Sequence, residues 1–304
     1  MNYLKSSSWE KISSCTLSIR EFNQFSNDKK IAIFSGYVKN RCEFNYHDRI
    51  YQWLKKNGYY VILTMPRNDS LLESDLCRAC DVFIERKNFG YDFGSYACGL
   101  QYVNSIEDLT LVSRLLFVND SFIGPFGHDE LLDDSGEFWC NTDSNQVRYH
   151  YQSYLFGFNL EKVELNVVND FFFERGNIYT DNKSLVIDNF ELSMYEYFHN
   201  QGLDCNVLHP VNSLRTDFLK QIFSFISCPN FFYKIVYYIR VLLCDVNPTH
   251  QLWLQLFSKG FPFIKKELFR DNPTGYPELS QELEKVMHRN HFSEESKRIF
   301  EPHK

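Results

Sequence analysis

Four short apolar runs, separated by segments with helical periodicity, constrain the fold of this chain more than any other feature of its sequence. The runs cover residues 31–34, 59–64, 81–84 and 115–118. After the first run, Ile50, Trp53 and Leu54 recur at helical spacing, and Asn57-Gly58 is a typical end for that helix. Strands that alternate with helices form parallel sheets. The sequence therefore predicts an α/β fold with a mostly parallel sheet flanked by helices.

The composition is that of a folded protein with an unusual share of aromatic residues. Of the 304 residues, 44% are hydrophobic and 17% are aromatic, which excludes disordered and low-complexity chains. The formal net charge of -7 argues against a nucleic-acid-binding protein, which needs a basic surface to neutralise phosphates. A local basic patch remains compatible with a small phosphorylated ligand.

The nine cysteines are odd in number and scattered, which favours a reducing compartment over a disulfide framework. Cys77 and Cys80 form a lone C-x-x-C pair without the second pair of a metal site. Residues 1–20 lack the apolar region of a secretory signal, and the sequence contains no apolar run long enough to cross a membrane. We therefore expect a cytoplasmic protein without a transmembrane helix.

Three sections are expected along the chain. Residues 1–29 are a polar lead-in, residues 30–216 hold the predicted sheet, and residues 217–304 form a helical extension. A helix is also expected over residues 185–202. Residues 217–244 are strongly apolar and predict two helices. One interpretation of these two helices is a buried pair that closes the domain, and the other is an amphipathic surface for a membrane or a partner protein.

Three polar segments follow predicted strands. They are Ser35-Gly36, residues 86–96 and residues 119–124. In parallel sheets, ligands bind at the carboxyl ends of the strands. We therefore expect these three segments to converge on one ligand site.

The segment 86–96 contains Arg86, Asn88, Gly90 and Asp92, and it opens a predicted helix. An arginine can bind a phosphate through two hydrogen bonds, and glycine lets the backbone approach a ligand closely. A helix N-terminus adds amide donors for an anion or a sugar hydroxyl. The alternative interpretation is a plain turn between strand and helix, with Asp92 as the helix cap.

A second polar segment, Asn119-Asp120-Ser121, ends the fourth predicted strand. An acidic residue at this place can hold a divalent cation that bridges a diphosphate. An Asx-type turn at the end of a strand is the simpler interpretation of these residues alone.

A third segment suits sugar recognition because His150, Gln152 and Ser153 lie among tyrosines. Aromatic faces beside the motifs would frame a sugar, and these residues are Tyr91, Phe93, Tyr96, Tyr149, Tyr151 and Tyr154. A single histidine in an aromatic segment also has an ordinary structural interpretation. Further along the chain, Lys265 and Lys266 offer positive charge towards a diphosphate, although a surface helix start is the simpler interpretation of these lysines.

Six short motifs occur in one order over residues 30–275. They are Arg86-x-Asn88-x-Gly90-x-Asp92-Phe93-Gly94-Ser95-Tyr96, Val118-Asn119-Asp120-Ser121 with Gly124-Pro125, Gln152-Ser153-Tyr154, Glu191, Asn247-Pro248-Thr249-His250 with Trp253, and Pro262-Phe263-Ile264-Lys265-x-Glu267-Leu268 with Asn272-Pro273. Together they resemble the rhamnan synthesis F family of bacterial polysaccharide glycosyltransferases.

The resemblance implies a nucleotide-sugar-dependent glycosyltransferase with a GT-A-like fold that acts in the assembly of O-antigen, capsule or rhamnan. Asn119-Asp120-Ser121 then stands where such folds place a metal-binding Asp-x-Asp motif. Only Asp120 is a carboxylate here, so a requirement for Mn²⁺ or Mg²⁺ is left open. The donor sugar, rhamnose or another hexose, is left open as well.

With the resemblance, the candidate residues take three roles. The expected catalytic residues are Asp120, Asp92 and His150, and Asp120 is also the expected metal ligand. The nucleoside diphosphate sugar is expected to contact Ser35, Gly36, Arg86, Asn88, Gly90, Asp92, Asn119, Ser121 and Lys265. The acceptor is expected to contact His150, Gln152, Ser153, Glu191 and His250. An inverting enzyme also needs a general base, for which Asp120, Asp134 and Glu191 are candidates.

The expected partners are a nucleotide sugar and a lipid-linked glycan acceptor, with no nucleic acid. Such an acceptor places the protein at the cytoplasmic face of the inner membrane, in peripheral contact with the membrane or with a synthase complex. The alternative function is a non-catalytic nucleotide- or glycan-binding subunit of such a complex, which the reduced Asp-x-Asp motif favours.

Overall fold

The computed structural model describes residues 7–25, 30–39, 41–126, 136–225, 231–276 and 278–289. The strands are β1 (Thr16–Glu21), β2 (Lys30–Ser35), β3 (Tyr60–Pro66), β4 (Val82–Arg86), β5 (Arg114–Asn119), β6 (Phe122–Ile123), β7 (Phe138–Cys140), β8 (Asp143–Ser144), β9 (His150–Tyr151), β10 (Leu155–Asn159), β11 (Cys205–Val207) and β12 (Ile264–Lys265). The α-helices are α1 (Ser7–Ser13), α2 (Arg41–Lys56), α3 (Glu73–Ala79), α4 (Tyr91–Val103), α5 (Leu165–Phe173), α6 (Lys183–Val186), α7 (Met194–Asn200), α8 (Val211–Phe225), α9 (Phe231–Leu243), α10 (Pro248–Gln251), α11 (Trp253–Ser258), α12 (Lys266–Arg270) and α13 (Leu279–Arg289). A 3-10 helix spans Leu109–Leu111, and a π-helix spans Ile187–Glu191.

The chain packs into two units that interleave along the sequence. The first unit takes in residues 1–120, 133–141 and 150–207, and the second takes in residues 121–132, 142–149 and 208–304. The expected sections 1–29, 30–216 and 217–304 stay a prediction about domains.

The first unit is built on a large sheet, which has eight strands within the described residues, in the order β1-β4-β3-β2-β5-β10-β7-β11. The neighbours β4, β3, β2 and β5 run parallel, and so do β7 and β11. Strands β1 and β10 run antiparallel to their neighbours. The predicted α/β fold with a mostly parallel sheet flanked by helices is therefore confirmed.

The apolar runs form the central strands of the sheet, where helices cover them. The four predicted strands appear as β2, β3, β4 and β5, and α2 is the predicted helix between the first two. Ile31 and Ile33 of β2 are fully buried, as is Ala32 between them, so both faces of this strand are covered. Helix α4 packs on β2 and β3. A Cβ at Gly99 of α4 would lie only 2.4 Å from the Ile33 Cγ2 atom, so glycine permits this close packing.

The sequence patterns do not predict β1, β7, β10 or β11. Strand β1 lies in the expected lead-in and pairs with β4 at an edge of the sheet. Its Leu17 and Ile19 side chains are 45% and 49% exposed, so the strand lacks the continuous apolar run of the buried strands. Strands β7 and β11 have three residues each, which is too short to show a periodicity.

The prediction of a single helix over residues 185–202 is wrong, because the structure divides this segment into three parts. The end of α6 continues into the π-helix, and α7 begins at Met194. The Ser193 hydroxyl between them donates to the Phe190 carbonyl oxygen at 3.2 Å, a bond that competes with the regular helical pattern. Glu191 is the last residue of the π-helix, an irregular turn that is frequent at functional sites.

The aromatic residues of the first unit form much of its core. Phe117 is fully buried, and its ring stacks on Phe156 at 4.8 Å and on Phe172 at 5.3 Å. The Tyr96 ring meets Phe117 edge to face at 5.3 Å. Four of the aromatic residues expected to frame a sugar are at most 5% exposed and belong to the interior instead, namely Phe93, Tyr96, Tyr151 and Tyr154. The aromatic residues therefore serve largely to pack the core.

The Phe117→Ala variant tests this core. We expect its free energy of unfolding to fall by about 3–5 kcal/mol, because the deletion removes buried area and leaves a cavity. Phe117→Leu, which keeps most of the volume, should cost about half as much. Urea denaturation followed by circular dichroism measures both. Equal losses for the two variants would contradict this expectation, because the apolar volume that leucine keeps would then contribute nothing and the whole loss would come from the aromatic ring.

The second unit contains a short β-ribbon and a set of packed helices. Strand β6 pairs antiparallel with β12, and α8 packs against α9 and α11. The Phe218 ring lies 5.9 Å from Tyr237 and 5.6 Å from Tyr238. The two helices predicted in residues 217–244 are present, although α8 begins earlier, at Val211.

Helix α9 has one buried face and one exposed face. Tyr238 and Val241 are buried, whereas Val236, Ile239 and Leu243 are 72%, 50% and 79% exposed. The buried face of α9 therefore fits the interpretation of a buried helix pair, and its exposed face fits the interpretation of an amphipathic surface. Among the described residues, no helix combines the length and apolar character that crossing a bilayer requires.

His209 is a buried histidine of the second unit. The residue is only 5% exposed, and the Nε2 atom of its side chain has no hydrogen-bond partner within the described residues. Burial lowers the pKa of His209 to about 4, and the positive charge of Lys259 contributes in the same direction. The histidine is therefore neutral in the folded protein at neutral pH.

His209 should make the stability of the second unit depend on pH. Between about pH 4 and 6.5 the unfolded chain binds a proton that the folded protein does not, so stability falls as pH drops through this window. Replacing it (His209→Asn) should remove a slope of about 1 kcal/mol per pH unit from the free energy of unfolding. Denaturation between about pH 4.5 and 7 measures the slope, and the exposed His199→Gln variant is the control. An unchanged slope in His209→Asn contradicts the assignment.

Candidate functional site

The Asp92 carboxylate joins the ends of two central strands. Its Oδ1 atom accepts a hydrogen bond from the Ser35 hydroxyl at 2.8 Å, and its Oδ2 atom accepts one from Asn119 Nδ2 at 2.8 Å. Ser35 ends β2 and Asn119 ends β5, and these strands are parallel neighbours. The structure thus brings together residues of all three predicted segments at one edge of the sheet.

Asp92 lies in the first turn of α4, where the helix dipole favours a negative charge. The alternative interpretation of Asp92 as a helix cap is wrong, because α4 has no side-chain cap and its N-cap residue is Gly90. Asp92 instead uses both oxygens to fix β2 and β5 relative to the helix. It is a positioning residue of the site.

Asp120 follows β5 and holds the loop that follows β2. Its Oδ2 atom accepts a hydrogen bond from the Tyr37 backbone N–H at 3.0 Å and lies 3.8 Å from His47 Nε2. The Asp120 side chain is 14% exposed. One edge of this carboxylate is therefore anchored within the protein while part of it still reaches the surface.

His47 is a further residue near Asp120, and no sequence pattern predicts it. It lies on α2 and is fully buried, with its ring 6.4 Å from both Phe34 and Tyr51. A single histidine on the apolar face of a helix matches no catalytic motif. The only available signal is its helical spacing from Phe44 and Tyr51, which places a polar ring among core residues.

Arg86 does not present its guanidinium to a ligand, which corrects the expected phosphate contact. The residue is 2% exposed, and its guanidinium donates to the carbonyl oxygens of Lys87, Phe89 and Tyr91, each at 2.8 Å. A fourth bond, from Nε to the Ser95 hydroxyl, measures 2.9 Å. Burial lowers the pKa of Arg86. Arg86 therefore shapes the loop that leads into α4.

The glycines of this loop serve backbone packing. Gly90 has φ 61° and donates its N–H to the Thr180 carbonyl oxygen at 2.7 Å. A Cβ there would lie 2.6 Å from the Ile178 carbonyl oxygen, so this side of Gly90 is closed to a ligand. A Cβ on Gly94 would lie 2.2 Å from the Phe89 carbonyl oxygen. Lys87 and Asn88 are exposed, so this part of the loop remains open to a ligand.

The Tyr96 hydroxyl is buried in the interior of the first unit. It donates to the Ser153 carbonyl oxygen at 3.1 Å. Burial raises its pKa well above the ordinary value, and the charges of Asp92, Asp120 and Glu191 raise it further. Glu191 of the π-helix thus acts on the same hydroxyl as the two aspartates, whereas Asp134 lies outside the described residues.

The residues expected to face an acceptor are largely buried. His150, Gln152 and Ser153 are 5%, 4% and 6% exposed. The Asn119 N–H donates to the Tyr154 carbonyl oxygen at 3.1 Å, which connects this segment to the end of β5. The acceptor role of these side chains stays a prediction.

The second unit holds the remaining expected site residues. His250 Nε2 lies 2.8 Å from Glu267 Oε2, and Lys265 Nζ lies 4.0 Å from the same oxygen. The hydrogen bond from His250 is the largest cause that lowers the pKa of Glu267 to about 2. The Ser121 carbonyl oxygen accepts from the Lys266 N–H at 2.9 Å. Both basic side chains have an acidic partner, and their contact with a ligand stays a prediction.

Loop 87–91 depends on the hydrogen bonds of the planar Arg86 guanidinium, and the Arg86→Lys variant tests this dependence. An ammonium group cannot reproduce four hydrogen bonds in a planar arrangement. We expect the free energy of unfolding of the first unit to fall by about 2–4 kcal/mol. Faster hydrogen exchange at amides 87–91 should accompany the loss. The exposed Arg67→Lys variant is the control, and unchanged exchange in Arg86→Lys would contradict the role.

Sequence comparisons find relatives along the whole chain. The family model of rhamnan synthesis protein F matches residues 66–259. Virulence protein VirA of Vibrio anguillarum (strain ATCC 68554 / 775) is 70% identical over 303 residues, covering 100% of both chains. The uncharacterized protein y4gN of Sinorhizobium fredii (strain NBRC 101917 / NGR234) is 31% identical over 220 residues, which cover 68% of this chain and 54% of that protein.

Two solved structures align with part of the chain. A glycosyltransferase involved in the glycosylation of the major capsid of PBCV-1 has 11% identity and a TM-score of 0.38, over 60% of this chain and 81% of that one. A proposed nucleotide-diphospho-sugar transferase from Desulfovibrio desulfuricans G20 has 10% identity and a TM-score of 0.34, over 71% and 98%. Neither likeness carries an argument about activity.

The family match covers more than half of the chain and includes the motifs at 86–96, 118–125, 152–154, Glu191 and 247–253. The resemblance that these motifs predict is therefore confirmed, and the chain belongs to the rhamnan synthesis protein F family.

Proposed function

We propose that this protein is a glycosyltransferase that moves a sugar from a nucleoside diphosphate sugar to a hydroxyl of a growing, lipid-linked surface polysaccharide. The observation that carries the proposal is the network of Asp92, Ser35 and Asn119 at the carboxyl edge of a parallel sheet, in a chain of the rhamnan synthesis protein F family. Ligands of open α/β sheets bind at this edge. The proposal includes a GT-A-like arrangement and a hexosyl or deoxyhexosyl donor such as rhamnose.

The donor would lie along the ends of β2 and β5. The backbone after Ser35 would border the nucleoside, and the diphosphate would lie towards Asp120. Because Arg86 is committed to its own loop, positive charge for the diphosphate must come from elsewhere. Exposed Lys39 and Lys87 follow β2 and β4 and are one source. A divalent cation held by Asp120 is the other.

A divalent cation of the Mg²⁺ or Mn²⁺ type is part of the proposal, although among the described residues no group of three or more His, Cys, Asp or Glu side chains could hold one. Magnesium is commonly held by one or two carboxylates together with substrate phosphates. Asp120, which is partly exposed and has its Oδ2 atom anchored by the Tyr37 amide, would be the protein ligand. Such a cation would neutralise the departing diphosphate.

Catalysis would arise from orientation and from electrostatic stabilisation of the leaving group. Asp92 would hold the strand ends in place, and Asp120 would position the donor. An inverting reaction also needs a carboxylate that accepts the proton of the acceptor hydroxyl. Glu191, the last residue of the π-helix, is our candidate for this base, since such irregular turns are frequent at functional sites.

The cellular setting belongs to the proposal as well. An enzyme that uses a lipid-linked acceptor would act at the cytoplasmic face of the inner membrane. The exposed side chains of α9, Val236, Ile239 and Leu243, would suit peripheral contact there. The rival function is a non-catalytic nucleotide- or glycan-binding subunit of a synthase complex, which the single carboxylate in Asn119-Asp120-Ser121 favours.

Asp120→Asn tests the proposal. The amide keeps the shape but removes the charge, so we expect kcat/KM for sugar transfer to fall by at least about 100-fold. Transfer from nucleoside diphosphate sugars to a lipid-linked acceptor is measured with purified protein, with Mg²⁺ or Mn²⁺ and with neither. The exposed Asp108→Asn variant, before β5, is the matched control.

Three outcomes separate the alternatives. If a folded Asp120→Asn variant keeps full sugar-transfer activity, Asp120 has no part in the chemistry. Nucleotide-sugar binding without turnover supports the binding subunit. Nucleoside diphosphates and their sugars should raise the melting temperature of the wild type by mass action, and no shift across the panel would count against any nucleotide-dependent function.

A further inference from the structure

A cleft of the first unit lies at the amino ends of the central strands, which we call the amino edge of the sheet. Its volume is about 450 Å³, and it is lined by residues 23–24 after β1, by Lys55 and residues 58–60 around the end of α2, and by Asp81 before β4. Cavities of about 300–1,000 Å³ hold small molecules. Strand β3 has seven residues, so this cleft lies about 20 Å from the carboxyl edge and its proposed donor site.

Asp81 organises one wall of the cleft. The residue is only 7% exposed, and its Oδ2 atom accepts a hydrogen bond from the Val61 N–H at 2.8 Å, while Oδ1 accepts one from Asn23 Nδ2 at 2.7 Å. Its carbonyl oxygen accepts from the backbone N–H groups of Phe22 at 2.8 Å and Asn23 at 3.2 Å. This wall is therefore fixed before any ligand arrives, which lowers the entropic cost of binding.

The segment after β1 is also held by Tyr60 at the start of β3. The Tyr60 hydroxyl donates to the Asn23 carbonyl oxygen at 2.7 Å, and its ring meets Phe25 edge to face at 5.3 Å. At Gly58, by contrast, a Cβ would meet nothing within 4 Å. The cleft thus combines a fixed polar wall with an open side at the end of α2.

The charges of the cleft compensate each other and favour an uncharged ligand. Lys55 Nζ lies 3.4 Å from Asp81 Oδ1. An anion would have to compete with Asp81 for this ammonium group, and it would also meet the negative end of the dipole of α2, which ends at Lys56. A cation would find both carboxylate oxygens of Asp81 already bonded to the protein.

The polar groups of the cleft match the hydroxyl groups of a sugar. An ammonium group has three donors, so the partly exposed Lys55 can donate to a ligand as well as to Asp81. Gln24 is exposed and its amide offers both donors and an acceptor, and the Asn23 side-chain oxygen adds another acceptor. A hydroxyl group both donates and accepts, so neighbouring hydroxyls of one sugar ring can use these mixed partners.

We propose that the cleft at the amino edge binds a sugar unit of a glycan, at a site separate from the proposed donor site. The inference goes beyond the proposed function, because it concerns binding alone and no bond is made or broken there. A glycosyltransferase and a non-catalytic glycan-binding subunit would both use such a site to hold a polysaccharide. A second point of attachment raises the apparent affinity for a long chain above that for a single sugar unit.

Titration of the purified protein with the methyl glycosides of rhamnose, glucose, galactose and mannose, followed by NMR, tests the inference. The wild type should bind at least one of the four. For that sugar we expect Kd to rise by about 10-fold or more in Lys55→Gln, which loses a charged donor, and by about 3- to 10-fold in Gln24→Ala. The melting temperature of each variant checks its folding, and the exposed position of Gln24 makes Gln24→Ala the safer of the two.

Lys56→Gln is the matched control, because it removes the same charge from the next, exposed residue of α2, which does not line the cleft. Its Kd for the sugar should equal that of the wild type.

Three outcomes would overturn the site. One is that the wild type binds none of the four sugars. Another is that both cleft variants keep the wild-type Kd, with binding lost in Asp120→Asn, which would place the sugar at the carboxyl edge. The third is that Lys55→Gln weakens binding of inorganic phosphate but not of the sugar, which would make the cleft an anion site. The sugar-transfer assay of the proposed function is a separate measurement, so the two proposals fail independently.

Discussion

The site depends on the Asp92 carboxylate, which is bonded to one residue from each of two parallel strands. Hydrogen bonds to a charged group are each worth about 1.5–3 kcal/mol, and the N-terminus of α4 adds a favourable dipole. Without these bonds, the Ser35 hydroxyl and the Asn119 amide would lose their acceptor at the edge of the sheet. The geometry of the strand ends therefore follows from the position of one side chain on a helix.

The loop that leads into Asp92 is held by its own hydrogen bonds and close contacts. Arg86 binds three carbonyl oxygens of the loop, and Gly90 and Gly94 allow backbone contacts that any side chain would block. The motif residues at 86–96 thus act mostly on each other. A motif that resembles a ligand-binding loop here holds the backbone that carries Asp92.

Sequence patterns predict the part of the fold that rests on continuous apolar runs. Strands β2 to β5 and helix α2 follow from such runs and from the spacing of Trp53 and its neighbours. The edge strand β1 and the three-residue strands β7 and β11 are invisible because they owe their conformation to pairing partners far away in sequence. Side-chain direction is equally hidden, so Arg86 is predicted to face a phosphate although it faces its own loop. His47 carries no motif, and only its distance to Asp120 marks it.

Under the proposed function, the burial of Arg86 also changes what the donor would bring to the site. The Arg86 guanidinium is committed to carbonyl oxygens, whereas Asp120 is a partly exposed carboxylate after β5. A diphosphate that approaches Asp120 would meet like charge, a repulsion of about 1 to 4 kcal/mol at 4 Å between bulk water and a site near the protein surface. A cation that arrives with the donor, or exposed lysines such as Lys39, would offset this repulsion. The first route makes affinity depend on the divalent ion, whereas the second makes it depend on ionic strength, because exposed charges are screened by salt.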